Sequence, residues 1–361
     1  MEHIRCIFCQ RDKGNIIIAN GSATVDDIVI RENGFLARKC PSCHLIYVSP
    51  RPTQEEVNNL YEDGEADILP EDHIDALFLK RLYAKNNLAI LKPFRKAGSL
   101  LEIGAGAGAF LDEARRQGFD VYGIELNKLQ ADYIKDALNI PCETESIANA
   151  FGERQFDVIY HCDVISHFHD PWQEFSAINR KLAHNGYMLF ETGNSDVELK
   201  YYKEIEKFQL PDHLFFFNQR NINDLLEGTG FELRQVVKYC TLPQHRTGRR
   251  LNTFVRTLFG KRAHQKTVTA LLEKIESTST INQTPSEAVR TNKAVSHSIM
   301  GMIKRYARRA WHIWTYILRY KIGYFTLKQG RPQTMVFVAQ KVKGIPEKVN
   351  KKDYQSAVST N

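Results

Sequence analysis

Ser99-Leu100-Leu101-Glu102-Ile103-Gly104-Ala105-Gly106-Ala107-Gly108-Ala109-Phe110-Leu111 is the stretch that decides the fold. A short apolar strand runs into a loop with glycine at alternate positions, and the loop opens a helix, Phe110–Gln117, that ends at Gly118. Glycines let the backbone turn tightly and let a ligand lie against main-chain N–H groups at a helix N-terminus. The next strand, Val121–Ile124, ends in Glu125, where a carboxylate can accept hydrogen bonds from two ribose hydroxyls. Strand, glycine loop, helix, strand and acid together predict a doubly wound α/β sheet that binds a nucleoside-containing ligand at its C-terminal edge.

Two ligands compete for that loop. Gly104-x-Gly106-x-x-Ala109 satisfies a relaxed dinucleotide fingerprint, with Glu125 at a suitable distance. Against it stands Glu102, two positions before the first glycine, because a pyrophosphate site does not welcome another negative charge. A ligand with a cationic centre and an amino group does.

The pattern Glu-x-Gly-x-Gly-x-Gly resembles the first motif of class I S-adenosylmethionine-dependent methyltransferases. That resemblance makes Gly104, Gly106 and Gly108 the cofactor loop, gives Glu102 the amino-acid end of the cofactor and gives Glu125 its ribose. The likeness continues downstream. Phe156–Asp163 reads as the fourth strand, and Asp163 at its end either contacts cofactor or acceptor or caps the loop. Val164–Pro171 resembles the family's following segment, with Ser166 in place of the usual Glu. Glu145-Ser146-Ile147 falls where the family lines the adenine, which assigns Ser146 and Ile147 to the cofactor. Gly186–Glu191, Phe231–Tyr239 and Thr334–Lys341 supply the fifth, sixth and seventh strands, with Ile222–Gly228 a helix. The expected fold is therefore a Rossmann-like α/β domain with a seven-stranded methyltransferase sheet.

Upstream lie two Cys-x-x-Cys units, Cys6-Ile-Phe-Cys9 and Cys40-Pro-Ser-Cys43. A two-residue spacer lets both thiolates of a unit face one ion, and two units complete a tetrahedral zinc shell. Ile16–Ala19, Ile28–Ile30 and the Asn33-Gly34 turn before Phe35-Leu36 give a small β-hairpin module between them. With no open position implied, the zinc reads as structural. Cys142, Cys162 and Cys240 have no partner at ligand spacing and read as small core residues, and His44 as a surface residue.

A four-cysteine module, a Tyr-Val-x-Pro-Arg-Pro-Thr linker (Tyr47–Thr53) and a methyltransferase core are together similar to bacterial sugar C-methyltransferases. That branch places an acid and a histidine near the sugar in a Glu-His-x-x-x-Phe segment, matched here by Asp212-His213-Leu214-Phe215-Phe216-Phe217. Leu210 and Pro211 stand where an aromatic is often found, so a tyrosine-assisted step does not carry over. Methyl transfer needs orientation more than covalent help, and a base only when the acceptor must lose a proton. His213, kept basic by the neighbouring Asp212, is the first choice; His167, at the sheet's C-terminal edge, is the second.

Composition sets the remaining bounds. The 361 residues are 43% hydrophobic and 25% charged, an ordinary globular mixture that excludes disordered and collagenous classes. No secretory signal pattern and no 18-residue apolar run is visible, so a cytoplasmic location with reduced or metal-bound cysteines is expected. The net charge of +7 divides unevenly: residues 1–240 hold 26 Lys+Arg against 37 Asp+Glu, and residues 241–361 hold 23 against 5. The expected organisation is a zinc module (1–50), a helical linker (51–92) and a catalytic core (93–240 with 334–345). A basic, largely helical insertion (241–333) interrupts the core, and a disordered tail (346–361) follows it. Within the insertion, Ile299–Tyr320 is an amphipathic helix with Ile299, Ile303, Tyr306, Ala310, Ile313, Ile317 and Tyr320 on one face. It suits an anionic membrane surface, the inner face in a cytoplasmic protein, or packs on the core or a second subunit. Nucleic acid is not expected, because the core is acidic and carries no recognisable RNA-binding module. The acceptor expected is a small molecule, a sugar or sugar nucleotide. Two alternatives are a lipid-linked or quinone-like acceptor at the membrane, and a non-catalytic scaffold that keeps the fold.

Overall fold

In a computed structural model, residues 1–9, 16–19, 22–25, 28–57, 74–196, 208–239 and 334–345 are described, with 306, 309–314, 316–317 and 320–321. Most of the 241–333 insertion, Cys240 and the 346–361 tail lie outside the described residues.

Seven strands form the main sheet: β6 (Gly98–Ile103), β7 (Phe119–Ile124), β8 (Cys142–Glu143), β9 (Phe156–Cys162), β10 (Leu182–Gly193), β12 (Phe231–Tyr239) and β13 (Thr334–Lys341). Their spatial order is β12-β13-β10-β9-β6-β7-β8. β6 pairs in parallel with β7 and β9, while β13 runs antiparallel between β10 and β12. The chain reverses between β6 and β9, and that switch point opens a crevice at the strands' C-terminal ends.

Successive residues of the central strands are buried on opposite faces. Leu101, Ile103, Ile159, Phe190 and Phe337 belong to one apolar cluster with helices α4 (Pro171–Lys181) and α5 (Gln219–Gly228). Leu100, Val158, Leu189 and Val338 belong to the other, under α1 (Ile74–Leu91), α2 (Ala109–Arg116) and α3 (Lys128–Asp136). Local signals fix the helix starts: Asp170 caps α4 through Gln173 N–H with Pro171 behind it, and Asn218 and Asn221 form a reciprocal capping box on α5.

The amino-terminal residues form a second sheet in the order β11-β5-β4-β3. β3 (Ile28–Glu32), β4 (Phe35–Lys39) and β5 (Ile46–Val48) come from the cysteine module, with β1 (Ile16–Ala19) and β2 (Ser22–Val25) a separate pair. The fourth strand, β11 (Phe215–Phe216), comes from far downstream and pairs antiparallel with β5 through Phe215–Tyr47 and Phe216–Ile46. The module docks on the α4 side of the main sheet. Trp172 Nε1 donates to Ile7 O at 3.2 Å, and the Phe8 and Trp172 rings meet edge-on at 5.4 Å. Buried Arg51 donates to Glu2 Oε1 and His169 O, both at 2.8 Å, and lies over the Phe215 ring.

The described helical residues near the end of the insertion split the face expected of them. Tyr306, Ala310 and Ile313 are exposed, whereas Tyr320, on that same face, is buried and with Tyr316 meets Tyr83 of α1 and Tyr239 of β12. The end of the helix thus packs on the core through large tyrosine rings. Cys162 also departs from expectation: it is exposed at the tip of β9. Cys142 is buried as expected.

Arg51→Met removes two charge-assisted hydrogen bonds from a buried position. We expect a loss of roughly 2–3 kcal/mol, read as a lower urea midpoint at unchanged slope.

Candidate functional site

The glycine loop leaves β6 with Gly104, Gly106 and Gly108 all at positive φ. Gly104 shows why glycine is needed: a Cβ there would lie 2.8 Å from Val164 Cγ2. Gly106 N–H donates to Glu125 Oε2 at 2.7 Å, and Asn127 N–H donates to Oε1 at 2.9 Å. Glu125 thus ties the loop to the end of β7, and each oxygen keeps a lone pair for a hydroxyl group.

Glu102 is placed differently. It is 5% exposed, and its Oε2 has no hydrogen-bond partner among the described residues. Burial first, and then the charge of Glu125, push its carboxyl well above the ordinary carboxylate range; Lys80 and a main-chain bond from Leu111 oppose the shift. An orphaned carboxylate oxygen beneath an open loop fits a cationic or ammonium-bearing ligand and does not fit a pyrophosphate. Lys80 comes from α1, which the Arg81–Asp112 ion pair of 2.6 Å holds against α2; nothing in the residue pattern singled it out. Ser146 and Ile147 follow β8, Ser146 exposed and Ile147 buried, and Asp163 is exposed in a left-handed turn just beyond β9.

The loop after β9 carries His167, and the segment before β11 carries Asp212 and His213. One side-chain donor or acceptor atom from each of the three lies within 4.8 Å of the other two. The carboxylate does not pair with its sequence neighbour. Asp212 Oδ1 lies 3.1 Å from His167 Nδ1, and the His213 ring sits edge-on to His167 at 4.7 Å. The turn that carries both residues is closed by His213 N–H to Gln209 O at 3.1 Å. Burial draws the His167 imidazole down, but the Asp212 hydrogen bond and charge, with Asp163, outweigh it and the net shift is upward. His213 moves down, through burial and then the positive charge of His167. The basic imidazole favoured by Asp212 is therefore His167, not His213.

Ser166 contributes its backbone: its carbonyl accepts from Leu214 N–H at 2.8 Å, which joins the two halves of this cluster. His161, one strand position before Cys162, is fully buried against Phe190 and pushed down to about 3 by burial alone. It is a neutral core residue.

The four cysteines of the two Cys-x-x-Cys units also converge, with their sulfurs within 4.8 Å of one another and Cys6 Sγ 3.4 Å from Cys43 Sγ. Hydrogen bonds from Cys43 and Cys6 pull the Cys40 thiol far down, and Cys43 is pushed up in return. Cys40 alone is thus favoured as the thiolate, the form that binds metal, while Cys6, bonded to Cys40, and the half-buried Cys9 are pushed up as well. A tetrahedral ion with Zn–S bonds of about 2.3 Å needs sulfurs about 3.8 Å apart, so the donor set fits zinc.

Residues 76–236 match a family model described as a methyltransferase domain. Over those residues the chain is similar to a methyltransferase domain, and they hold strands β6 to β10 with the glycine loop. Among curated proteins, the ubiquinone biosynthesis O-methyltransferase of Cereibacter sphaeroides is 32% identical over 102 residues, 26% of this chain. The chain spans 41% of that relative's length. Similar solved structures include the geranyl diphosphate C-methyltransferase of Streptomyces coelicolor A3(2), with a TM-score of 0.42 at 14% identity, covering 73% of this chain and 80% of that one. A cyclopropane synthase from Mycobacterium tuberculosis has a TM-score of 0.40 at 18% identity, covering 72% and 84%.

The imidazole shifts are checked by histidine NMR titration. His167 should titrate above 6.5 and His213 below it, and Asp212→Asn should lower the His167 midpoint. The pair's stabilisation is complete below the unfolded value of 6.5 and is lost as pH rises through the raised His167 midpoint.

Proposed function

We propose that this protein transfers a methyl group from S-adenosylmethionine to a small-molecule acceptor, a sugar or sugar nucleotide. The observation that carries the cofactor half is the unpartnered, buried Glu102 oxygen beneath the glycine loop. Glu102 receives the ammonium of the cofactor's amino-acid end, the Gly104–Gly108 backbone lies against that end, and Glu125 accepts the ribose hydroxyls. Ser146 and Ile147 line the adenine, and Asp163 closes the loop between cofactor and acceptor.

When bound, the cofactor supplies a methyl already activated on a sulfonium. The protein's part is to hold the acceptor in line and to receive a proton. His167 takes that proton at Nε2 while Asp212 holds Nδ1 and stabilises the imidazolium formed. His213 stands beside it, kept neutral, as a hydrogen-bonding partner for the acceptor. The support for a carbohydrate is the polar, partly open cluster of two imidazoles and a carboxylate, together with the sequence resemblance of the module and linker to sugar C-methyltransferases. The four cysteines hold a structural zinc ion.

A second reading, a quinone-like acceptor at a membrane surface, is favoured by the ubiquinone-pathway relative. Exposed Tyr306, Ile313 and Trp314 beside the exposed Arg309 also favour it. Among the described residues no helix is long and apolar enough to cross a membrane.

Calorimetry tests the cofactor: the chain should bind S-adenosylmethionine and not NAD. Glu102→Gln should weaken S-adenosylmethionine binding at least about tenfold, the loss of one charge-assisted hydrogen bond. The same variant should raise the melting temperature without ligand. The carboxyl's raised pKa means that the folded state loses stability as pH rises above the unfolded value of 4.5, and glutamine removes that penalty. Binding of NAD alone, indifferent to Glu102, would overturn the reading. Metal analysis should find one zinc per chain, lost in Cys40→Ser; substoichiometric zinc in fresh protein, unchanged by that substitution, would count against the structural ion.

A further inference from the structure

We propose that the cysteine module is the positioning element of the acceptor site, with Glu32 and Asn33 as the residues that hold Asp212 and His213 against His167. This rests on the reading above that the acceptor lies over that cluster. The segment that carries Asp212 and His213 is gripped by the module at three places. At its start, the Glu32 carboxylate accepts from Phe208 N–H at 2.7 Å through one oxygen and from Gln209 N–H at 3.0 Å through the other. Beside it, Asn33 Nδ2 donates to Leu210 O at 2.8 Å. Both side chains sit at the hairpin turn between β3 and β4, on which nothing in the chemistry of methyl transfer makes a demand.

In the middle, Val48 N–H donates to Leu214 O at 2.9 Å, and β11 continues the pairing as the fourth strand of the module's sheet. At its end, the side-chain amides of Asn218 and Asn221 both donate to Cys43 O, at 3.2 and 3.0 Å. Asp212 and His213 thus sit on a short arch with both feet on the module. The arch meets the methyltransferase domain near its crown through Leu214 N–H and Ser166 O, next to His167.

The consequence is specific. Gln209 has a positive φ of 60°, and its carbonyl receives His213 N–H; the Glu32 carboxylate holds Gln209 N–H in that turn. Losing Glu32 frees the turn, and the Asp212–His167 distance is then set by a solvated loop. The cofactor loop between β6 and α2 has no bond to Glu32 or Asn33 and is left intact.

The test uses the full zinc-loaded chain and the side-chain NMR signals of His167 and His213, assigned with His167→Gln and His213→Gln. Zinc content and the S-adenosylmethionine dissociation constant are measured on the same samples. In Glu32→Ala both histidine signals should shift and the dependence of His167 on Asp212→Asn should disappear, with zinc content and cofactor affinity unchanged. Glu32→Gln, whose amide oxygen still accepts a hydrogen bond, should restore most of the wild-type spectrum. Histidine signals that superimpose on wild type in Glu32→Ala would overturn the proposal. If that variant loses zinc, the module itself has collapsed and Asn33→Ala, which removes one bond remote from the cysteines, decides by the same criterion. A wild-type chain that binds no S-adenosylmethionine would instead defeat the wider reading, and the control measurement reports that separately.

Discussion

Two strands of two or three residues, Ile46–Val48 and Phe215–Phe216, carry the contact on which the rest of the acceptor side depends. A pairing this short is marginal in water and persists only where burial and neighbouring bonds reinforce it. Here Phe215 and Phe217 are fully buried, the flanking Leu214 carbonyl is paired to Val48, and the Ser166 carbonyl receives two N–H groups from the same segment. The pairing also explains Arg51. Its guanidinium lies over Phe215 while bonding to Glu2 and His169, so one buried cation joins the amino terminus, the β9–α4 loop and the fourth strand. Removing any one of these leaves buried polar groups without partners, which costs more than the bond itself is worth.

The two halves of the site are consequently built by different means. The cofactor half belongs to the sheet: β6 delivers Glu102 and the glycine loop, β7 delivers Glu125, and main-chain bonds fix both. The acceptor half is assembled from segments 45 residues apart in sequence, His167 after β9 and Asp212 before β11. A sheet-borne site is rigid by construction, whereas an assembled one is only as accurate as its scaffold. If the acceptor lies over that cluster as proposed, a module with no reacting group of its own sets the accuracy of the site.

Much of the sheet was legible because its signals are local. Phe231–Tyr239 and Thr334–Lys341 occupy the strands that their patterns predicted, α1 falls in the linker expected to be helical, and the glycine loop lies between strand and helix. The four cysteines were legible as one set because each Cys-x-x-Cys unit is a local signal, although the two units meet only through the fold of the module. What could not be read depends on distant partners. Phe215 and Phe216 look like core filling until β5 is found beside them. Asp212 looks bonded to His213 by sequence adjacency, and its hydrogen bond to His167 depends on a loop 45 residues away. Cys162 looks like a core cysteine because the strand's last position, already beyond the sheet's cover, carries no composition signal. A helical wheel places Tyr320 on the face with Tyr306 and Ile313, but only Tyr83 of α1 and Tyr239 of β12 decide that Tyr320 is the one buried.

The uneven charge of the chain gains a structural sense from the two apolar clusters. Cys6, Phe8, Leu45 and Tyr47 join the cluster on the α4–α5 face of the sheet, while Tyr320, with Tyr316 and Tyr83 beside it, joins the cluster on the α1–α2 face. The module and the described end of the basic insertion therefore cover opposite faces. Arg309 reaches the Phe78 ring at 5.6 Å, so at least one of the insertion's cations is turned toward the α1 side. Any partner drawn to the described end meets the helix that supplies Lys80, across the sheet from the arch that carries Asp212 and His213. Its influence on the site would run through the cofactor half first. A close-packed sheet transmits such a displacement poorly to its far face, since buried strands paired on both edges have no alternative register at low cost. The described contacts of the module and of the insertion's end thus lie on opposite faces of a common sheet.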